Sequence, residues 1–257
     1  MTRHSFAGRM IMSVRPAFLG ALLKKLLFIR RIETDTLMGR FYLDPASYLG
    51  LKLLETGLYE PGMLETVKHF LEPGGVFVDV GANEGYFTVV GSNRVGSDGR
   101  VVAVEPQSRL QAVLERNLAL NGCKNVALEP VAISDQRGQA VLHLTPGVNN
   151  SASSLIRPTR YMLARETVSC ATLEEIFDRC KIEVCDLLKI DIEGWEYEAV
   201  LGSPALFRDR RVKAVALELH PNLLARRGLD GGKIESFLVE SGYRRQPDWP
   251  TLVWVHP

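Results

Sequence analysis

Cysteine is scarce in this chain: Cys123, Cys170, Cys180 and Cys185 are the only four in 257 residues, and none forms a Cys-x-x-Cys pair. Histidine pairs at finger spacing are missing too, which argues against a structural zinc site. Scattered thiols behave as small apolar side chains and suit a reducing compartment, so a cytoplasmic setting is expected. Net charge is nearly absent. The 31 basic and 30 acidic residues leave +1, too little for a global field that gathers nucleic acid. No apolar run is long enough to span a bilayer: residues 17–23 fall well short of the ~20 needed, and Lys24 and Lys25 end them. The same stretch carries no convincing small-residue cleavage site, so no secretory signal is expected.

Acidic residues are missing before Glu33, whereas Arg3, Arg9, Arg15, Lys24, Lys25, Arg30 and Arg31 are basic. An amphipathic segment making weak contact with an anionic membrane surface or a partner is one explanation. The expected one is a covering helix with a solvated basic face. On that view residues 1–31 are an appendage, and their deletion leaves a folded, cofactor-competent core.

Internal repeats and low-complexity segments are also lacking, and 46% apolar with 24% charged residues is ordinary for a globular protein. What is present, after a lead-in over residues 1–70, is one domain over 71–257 in which short apolar runs alternate with amphipathic stretches. Strands are expected at Val76–Val80, at 101–105 before Pro106, and at 126–133. The spacing predicts a helix over 108–121, closed by Asn121-Gly122. Residues 140–144, followed by a Gly/Asn/Ser-rich turn at 146–154, predict an inserted hairpin. Thr172 with Glu175 is a capping box for a helix through Arg179. Further strands are expected at 186–191 and 212–219, around a helix at 195–201. Segments 242–244 and 252–255 are expected to form an antiparallel edge hairpin. Strands alternating with helices predict an α/β, Rossmann-like fold with a mostly parallel sheet covered on both faces.

The strongest local signal is Val78-Asp79-Val80-Gly81-Ala82-Asn83-Glu84-Gly85, where the first strand of that sheet passes into a helix. Open α/β sheets bind ligands at such strand ends. The dinucleotide fingerprint, which would need glycine at 83 and 86, has Asn83 and Tyr86 instead. That counts against a nicotinamide oxidoreductase, and Asp79 and Glu84 disfavour a phosphate while suiting a cationic or zwitterionic ligand. Glu105 ends the next strand, placed to accept from both hydroxyls of a ribose. Asp135 either accepts from an adenine amino group or closes a turn. Together these describe a nucleoside site without a phosphate cradle.

Leu188-Lys189-Ile190-Asp191-Ile192-Glu193-Gly194 is the second constellation. Alternation puts Lys189 and Asp191 on one face of a strand covered on both sides, where ionisable groups are costly unless paired or used. Either they serve the ligand crevice or they form an ion pair that shapes the turn. One strand on, Glu218-Leu219-His220-Pro221 repeats the pattern. Methyl transfer to a hydroxyl needs an in-line acceptor and a proton acceptor. His220 either takes that proton, oriented by Asp191, Glu193 or Glu218, or is structural, as His143 is taken to be. The carboxylates can also hold Mg²⁺, although no metal ligand is assigned.

These motifs, with Val104-Glu105-Pro106, Ala132-Ile133-Ser134-Asp135 and the lead-in segments Phe41-Tyr-Leu-Asp-Pro and Gly57-Leu-Tyr-Glu-Pro61, resemble the FkbM family of S-adenosylmethionine-dependent methyltransferases from about Gly39 to the C-terminus. The resemblance implies a class I methyltransferase sheet of seven strands with a reversed final strand. It implies a cofactor site at Asp79, Gly81, Asn83, Gly85, Glu105 and Asp135, with the segment of Lys189, Asp191 and Glu193 beside the transferred methyl. It further implies an O-methyltransferase acting on a small molecule or saccharide. The acceptor pocket is expected to be lined by residues 146–167 and the lead-in helices. A catalytically silent scaffold that kept the fold is one rival. An RNA methyltransferase is another, disfavoured by balanced charge and a lack of basic–aromatic stacking motifs.

Overall fold

The computed structural model describes residues 3–14, 17–144 and 164–257. Helices α1 (Arg3–Ser13) and α2 (Ala17–Leu26) precede a hairpin of β1 (Ile32–Thr36) and β2 (Gly39–Leu43), then α3 (Tyr48–Thr56) and α4 (Pro61–Phe70). The alternating part follows: β3 (Val76–Val80), α5 (Tyr86–Val95), β4 (Arg100–Val104), α6 (Ser108–Leu120) and β5 (Val126–Glu129). Next come β6 (Ala132–Ile133), β7 (Gly138–Leu144), β8 (Ala164–Ala171), α7 (Leu173–Arg179) and β9 (Cys185–Ile190). The chain closes with α8 (Glu196–Leu201), α9 (Pro204–Arg208), β10 (Val212–Leu217), α10 (Pro221–Arg226), α11 (Gly232–Glu240), β11 (Arg244–Arg245) and β12 (Val253–Val255).

The main sheet has seven strands in the order β5-β4-β3-β9-β10-β12-β11. Its first five strands run parallel, while β12 is antiparallel to both β10 and β11. The expected reversed strand is therefore present, and β11 with β12 forms the expected edge hairpin. Central strands are apolar on both faces because both are covered: Phe77 and Val78 are each fully buried, on opposite sides of β3. On one side, Val78, Val102, Leu188 and Val215 join a core with Phe177 and Phe207. On the other, Phe77, Val101 and Ala216 pack with Phe41, Leu53, Met63 and Val67, so residues from 41 onward share the core of the sheet. Chain order reverses between β3 and β9, which opens a crevice at their carboxyl ends.

Two expected elements differ. The single strand over 126–133 is broken at Pro130, which has no N–H to give a ladder. β5 stays in the main sheet, while β6 crosses to a three-stranded side sheet with β8 and β7. The inserted hairpin is formed by β7 and β8, paired from Gly138↔Cys170 to Leu144↔Ala164. The turn expected at 146–154, and most of the segment expected to line an acceptor pocket, lie outside the described residues.

Part of the basic charge of the N-terminus is paired, and part is exposed: Lys25 and Arg30 face solvent. Arg9 pairs with Glu55, Lys24 with buried Asp44, and Arg31 binds both oxygens of Glu84, at 2.7 and 2.9 Å, from within the lead-in. The Glu84 side chain is only 2% exposed, so three of the seven cations here answer acids elsewhere in the fold. Removing one member of a buried pair leaves the other charge uncompensated. Arg31→Ala should therefore cost about 3 kcal/mol of stability in denaturant unfolding, and deletion of residues 1–31 should cost more, since buried Ile11 goes with it. An unchanged unfolding midpoint for Arg31→Ala would return the segment to the status of an appendage.

Candidate active site

β3 delivers Gly81 to the crevice. Gly81 N and Ala82 N both donate to Val104 O at 3.0 Å, tying the loop to the end of β4. Gly81 has φ +81°, and a Cβ there would lie 1.9 Å from Asp191 O. Only glycine allows this contact, which brings the loop after β3 against the end of β9. Gly85, also left-handed, admits α6 instead, with Leu114 Cγ 2.9 Å from where its Cβ would stand.

Along the carboxyl ends of β3, β4, β9 and β10 runs a cavity of about 280 Å³. One end is apolar, with Leu110, Val131, Ile133 and Leu142 on its walls; the other carries Glu60, Asp191, Glu193 and Glu218. Glu105 lies between. Its Oε2 accepts from Asn83 N at 2.8 Å and its Oε1 from Gln107 N at 2.9 Å, which leaves each oxygen a further lone pair. No lysine or arginine lines the cavity among the described residues. An apolar slot, a diol acceptor and an acidic far end fit S-adenosylmethionine: base, ribose, and cationic sulfonium with its amino group.

Burial pushes the Glu105 carboxyl up to about 7, against the two backbone donors that favour its charged form. Ribose hydroxyls donate to the carboxylate, so cofactor affinity should fall as pH drops below about 7, by up to tenfold per pH unit. Glu105→Ala should weaken S-adenosylhomocysteine binding by about 1–3 kcal/mol and abolish that pH dependence. Titration calorimetry at several pH values measures both, and unchanged binding would remove Glu105 from the ribose.

Lys189 is 2% exposed, in register with Asp79 on the neighbouring strand β3 and 5.6 Å from the Phe87 ring of α5. Its Nζ lies 3.3 Å from Asp79 Oδ1 and 3.7 Å from Asp191 Oδ2, and donates to Gly81 O at 3.4 Å. Burial opposes its charge, but Asp79, Asp191 and Glu60 outweigh that and raise its pKa. Thr88 Oγ1 donates to the other Asp79 oxygen at 2.7 Å. Both sequence alternatives for this segment therefore hold a part: Lys189 is the centre of an ion-pair network, and Asp191 is its member on the cavity wall.

Beyond β10, His220 Nδ1 is 2.8 Å from Oε1 of fully buried Glu196, which also accepts from Gly194 N at 2.8 Å. This fixes the ring with Nε2 toward three carboxylates, 3.7 Å from Glu193 and 4.0 Å from Asp191 and from Glu218. Burial disfavours the charged ring, yet the Glu196 bond and the neighbouring acids push its pKa up to about 9. Burial likewise pushes Glu193 up to about 7; Asp191 and Glu218 add to this and His220 opposes it. At neutral pH His220 therefore holds its proton, and Glu193 is the group poised to exchange one. Asp191, Glu218 and His220 offer donor atoms within 4.8 Å of one another, a spacing a divalent cation can bridge.

The structure brings Gly81, Asn83, Glu105, Asp191 and Glu193 to one cavity wall, with Glu218. Asp79, Gly85, Lys189 and His220 stand behind it. Two charges are placed differently from expectation: Asp79 is committed to Lys189 and Thr88, and Glu84 is drawn away to Arg31. Asp135, expected either at an adenine amino group or in a turn, is exposed and borders a second hollow with Arg137 and Arg227; that hollow shares Trp195 with the cavity. His143 is buried in β7, away from the wall.

Glu60 and Tyr59 line the cavity and carried no functional signal beyond their place in Gly57-Leu-Tyr-Glu-Pro61. Glu60 has φ +40°, Asn83 φ +54° and Glu193 φ +50°. Among the described residues, half of the six non-glycine residues with positive φ thus face one cavity, which is where backbone strain concentrates when it serves a site. Trp195 also lines it, its ring 4.1 Å from the Arg227 guanidinium, whose Nη1 donates to Gly194 O at 2.6 Å. Arg227 thereby clamps the turn that presents Glu193.

Residues 79–245 match the model of the methyltransferase FkbM domain, while no curated protein sequence matches the chain. Among solved structures, a SAM-dependent methyltransferase from Aquifex aeolicus is 15% identical, with 80% of this chain and 93% of that one covered at a TM-score of 0.44. A fibrillarin from Aeropyrum pernix, bound to S-adenosyl-L-methionine, is 14% identical over 87% of both chains at 0.41. A protein-L-isoaspartate O-methyltransferase is 27% identical over 28% of this chain, which spans only 23% of that protein's length, at 0.26. At these TM-scores the likenesses add nothing to the assignment, which rests on the sequence match over residues 79–245. That match runs from the end of β3 to the edge strand β11 and takes in Glu105, Asp191, Glu193 and Glu218 of the crevice: the chain belongs to the FkbM methyltransferase family and is an S-adenosylmethionine-dependent methyltransferase.

Proposed function

We propose that the protein transfers a methyl group to a hydroxyl oxygen of a small molecule or saccharide. The observation that carries this reading is the acidic end of the cavity. Glu193, with its pKa near 7, faces the same space as Glu105 and is backed by a charged His220. Bound S-adenosylmethionine supplies an electrophilic methyl. Glu105, oriented by the Asn83 N–H, holds the nucleoside end against the Gly81 loop, and Asp191 and Glu218 orient the acceptor's hydroxyls. Glu193 takes the hydroxyl proton. His220, held by Glu196, stays protonated and keeps Glu193 from rising further.

An RNA acceptor is disfavoured by the same feature, since Glu60, Asp191, Glu193 and Glu218 would repel a phosphate backbone. A silent scaffold is disfavoured by strain and buried charge gathered at one wall, which a binding fold does not need. Calorimetric titration with S-adenosylmethionine, S-adenosylhomocysteine and NAD comes first, then an acceptor screen of sugars and hydroxylated metabolites read by S-adenosylhomocysteine release. Binding of the methyl cofactors with turnover only on hydroxylated acceptors supports the proposal. Turnover on RNA or on amines alone would replace it.

A further inference from the structure

The face of α1 and α2 that looks away from the core is apolar. Phe6 and Met10 stand one turn apart on α1, and Leu19, Leu22 and Leu26 follow a helical stripe on α2; all are exposed, as are Leu27 and Phe28 beyond it. Seven of the twelve large apolar residues exposed among the described residues thus fall between positions 6 and 28, which makes this a patch and not scatter. Phe28 is 78% exposed with φ +51°. A solvated turn ordinarily gives that conformation to glycine or asparagine, not to a bulky aromatic.

The inner face is firmly seated. Gly8 lies against the Pro45 carbonyl, Gly20 against the Ile11 carbonyl, and Ile11 packs with Ala46, Leu23 and Ile29. The outward side chains therefore cannot turn in without unseating both helices. Charge completes the pattern. The first 32 residues hold seven cations and no acid. Arg9, Lys24 and Arg31 are taken by Glu55, Asp44 and Glu84, while Lys25 and Arg30 stay exposed beside Leu26 and Phe28. No helix among the described residues is long and apolar enough to cross a membrane. An apolar stripe bordered by cations and free of acid is the composition that lies in the plane of an anionic bilayer surface.

We propose that α1 and α2 dock on an anionic lipid surface. Phe6, Met10, Leu19, Leu22, Leu26 and Phe28 enter the headgroup boundary, and Lys25 and Arg30 meet lipid phosphates. The full chain is sedimented with vesicles of phosphatidylcholine alone and of phosphatidylcholine doped with phosphatidylglycerol, at low and high salt. Binding to the doped vesicles should exceed binding to neutral ones by roughly tenfold and weaken with salt. Leu22→Glu and Phe28→Glu change exposed positions, so melting should be unaltered while vesicle binding falls by tenfold or more. Lys25→Glu with Arg30→Glu should reduce it by roughly the same factor and leave the apolar stripe intact. No binding to anionic vesicles at low salt, or binding that all these variants retain, would overturn the proposal. So would a concentration-dependent dimer in light scattering that the Leu22 and Phe28 variants dissolve, because a second copy would then cover the face.

Discussion

Glu193→Gln should lower kcat by about 10²–10⁴-fold while leaving S-adenosylhomocysteine affinity within a factor of about two. The glutamine keeps the shape of the side chain and the left-handed turn but cannot accept a proton. In the wild type, burial and the charges of Asp191 and Glu218 hold this carboxyl at about 7 against the pull of His220. Below that pH Glu193 is protonated and idle. At saturating cofactor, kcat should therefore rise about tenfold per pH unit up to about 7 and then level off. Glu105 titrates in the same range but acts on cofactor affinity, so saturation separates the two. Asp191→Asn should also depress turnover with little change in cofactor binding, through its place between Lys189 and the acceptor. Wild-type kcat in Glu193→Gln would sink the assignment and leave Asp191 and His220 to be tested for the proton. Retention of the acidic limb by a slow Glu193→Gln would show that another group titrates.

Lys189→Met should destabilise the fold by about 3–5 kcal/mol, seen as a lower midpoint in urea. Lys189 and Asp79 are 2% and 1% exposed, and removing the ammonium leaves Asp79 charged inside the sheet with a single hydroxyl donor, Thr88. Asp79→Asn alone leaves the complementary fault, a buried ammonium with less to balance it. The double variant removes both charges and should recover much of the loss, because a buried pair is costly chiefly when one partner goes missing. Simple addition of the two single losses would mean that the pair contributes no coupling and that Lys189 is sustained by Asp191 and Glu60 instead.

What the residues by themselves determined is whatever depends on neighbours in the chain. Alternation and glycine placement marked β3, the loop at Gly81, Glu105 at the end of β4 and Asp191 in its acid–lysine segment. A strand-end rule then suffices to bring these together, since parallel strands of one sheet finish on the same side. Thr172 with Glu175 marked the start of α7, where both capping bonds are formed, because every partner lies within three residues. Tertiary structure alone decided how the charges are spent. Asp79 meets Lys189 across 110 residues, Glu84 meets Arg31 across 53, and Glu60 reaches the cavity from the lead-in. An acid's type says that it needs a partner, not which of 31 cations it will find. The same holds for the segment after Pro130, where β5 ends in the main sheet and β6 joins another. Pairing over such distances is chosen by the packing of the sheet and its covering helices. It is a property of the folded molecule, and local pattern does not encode it.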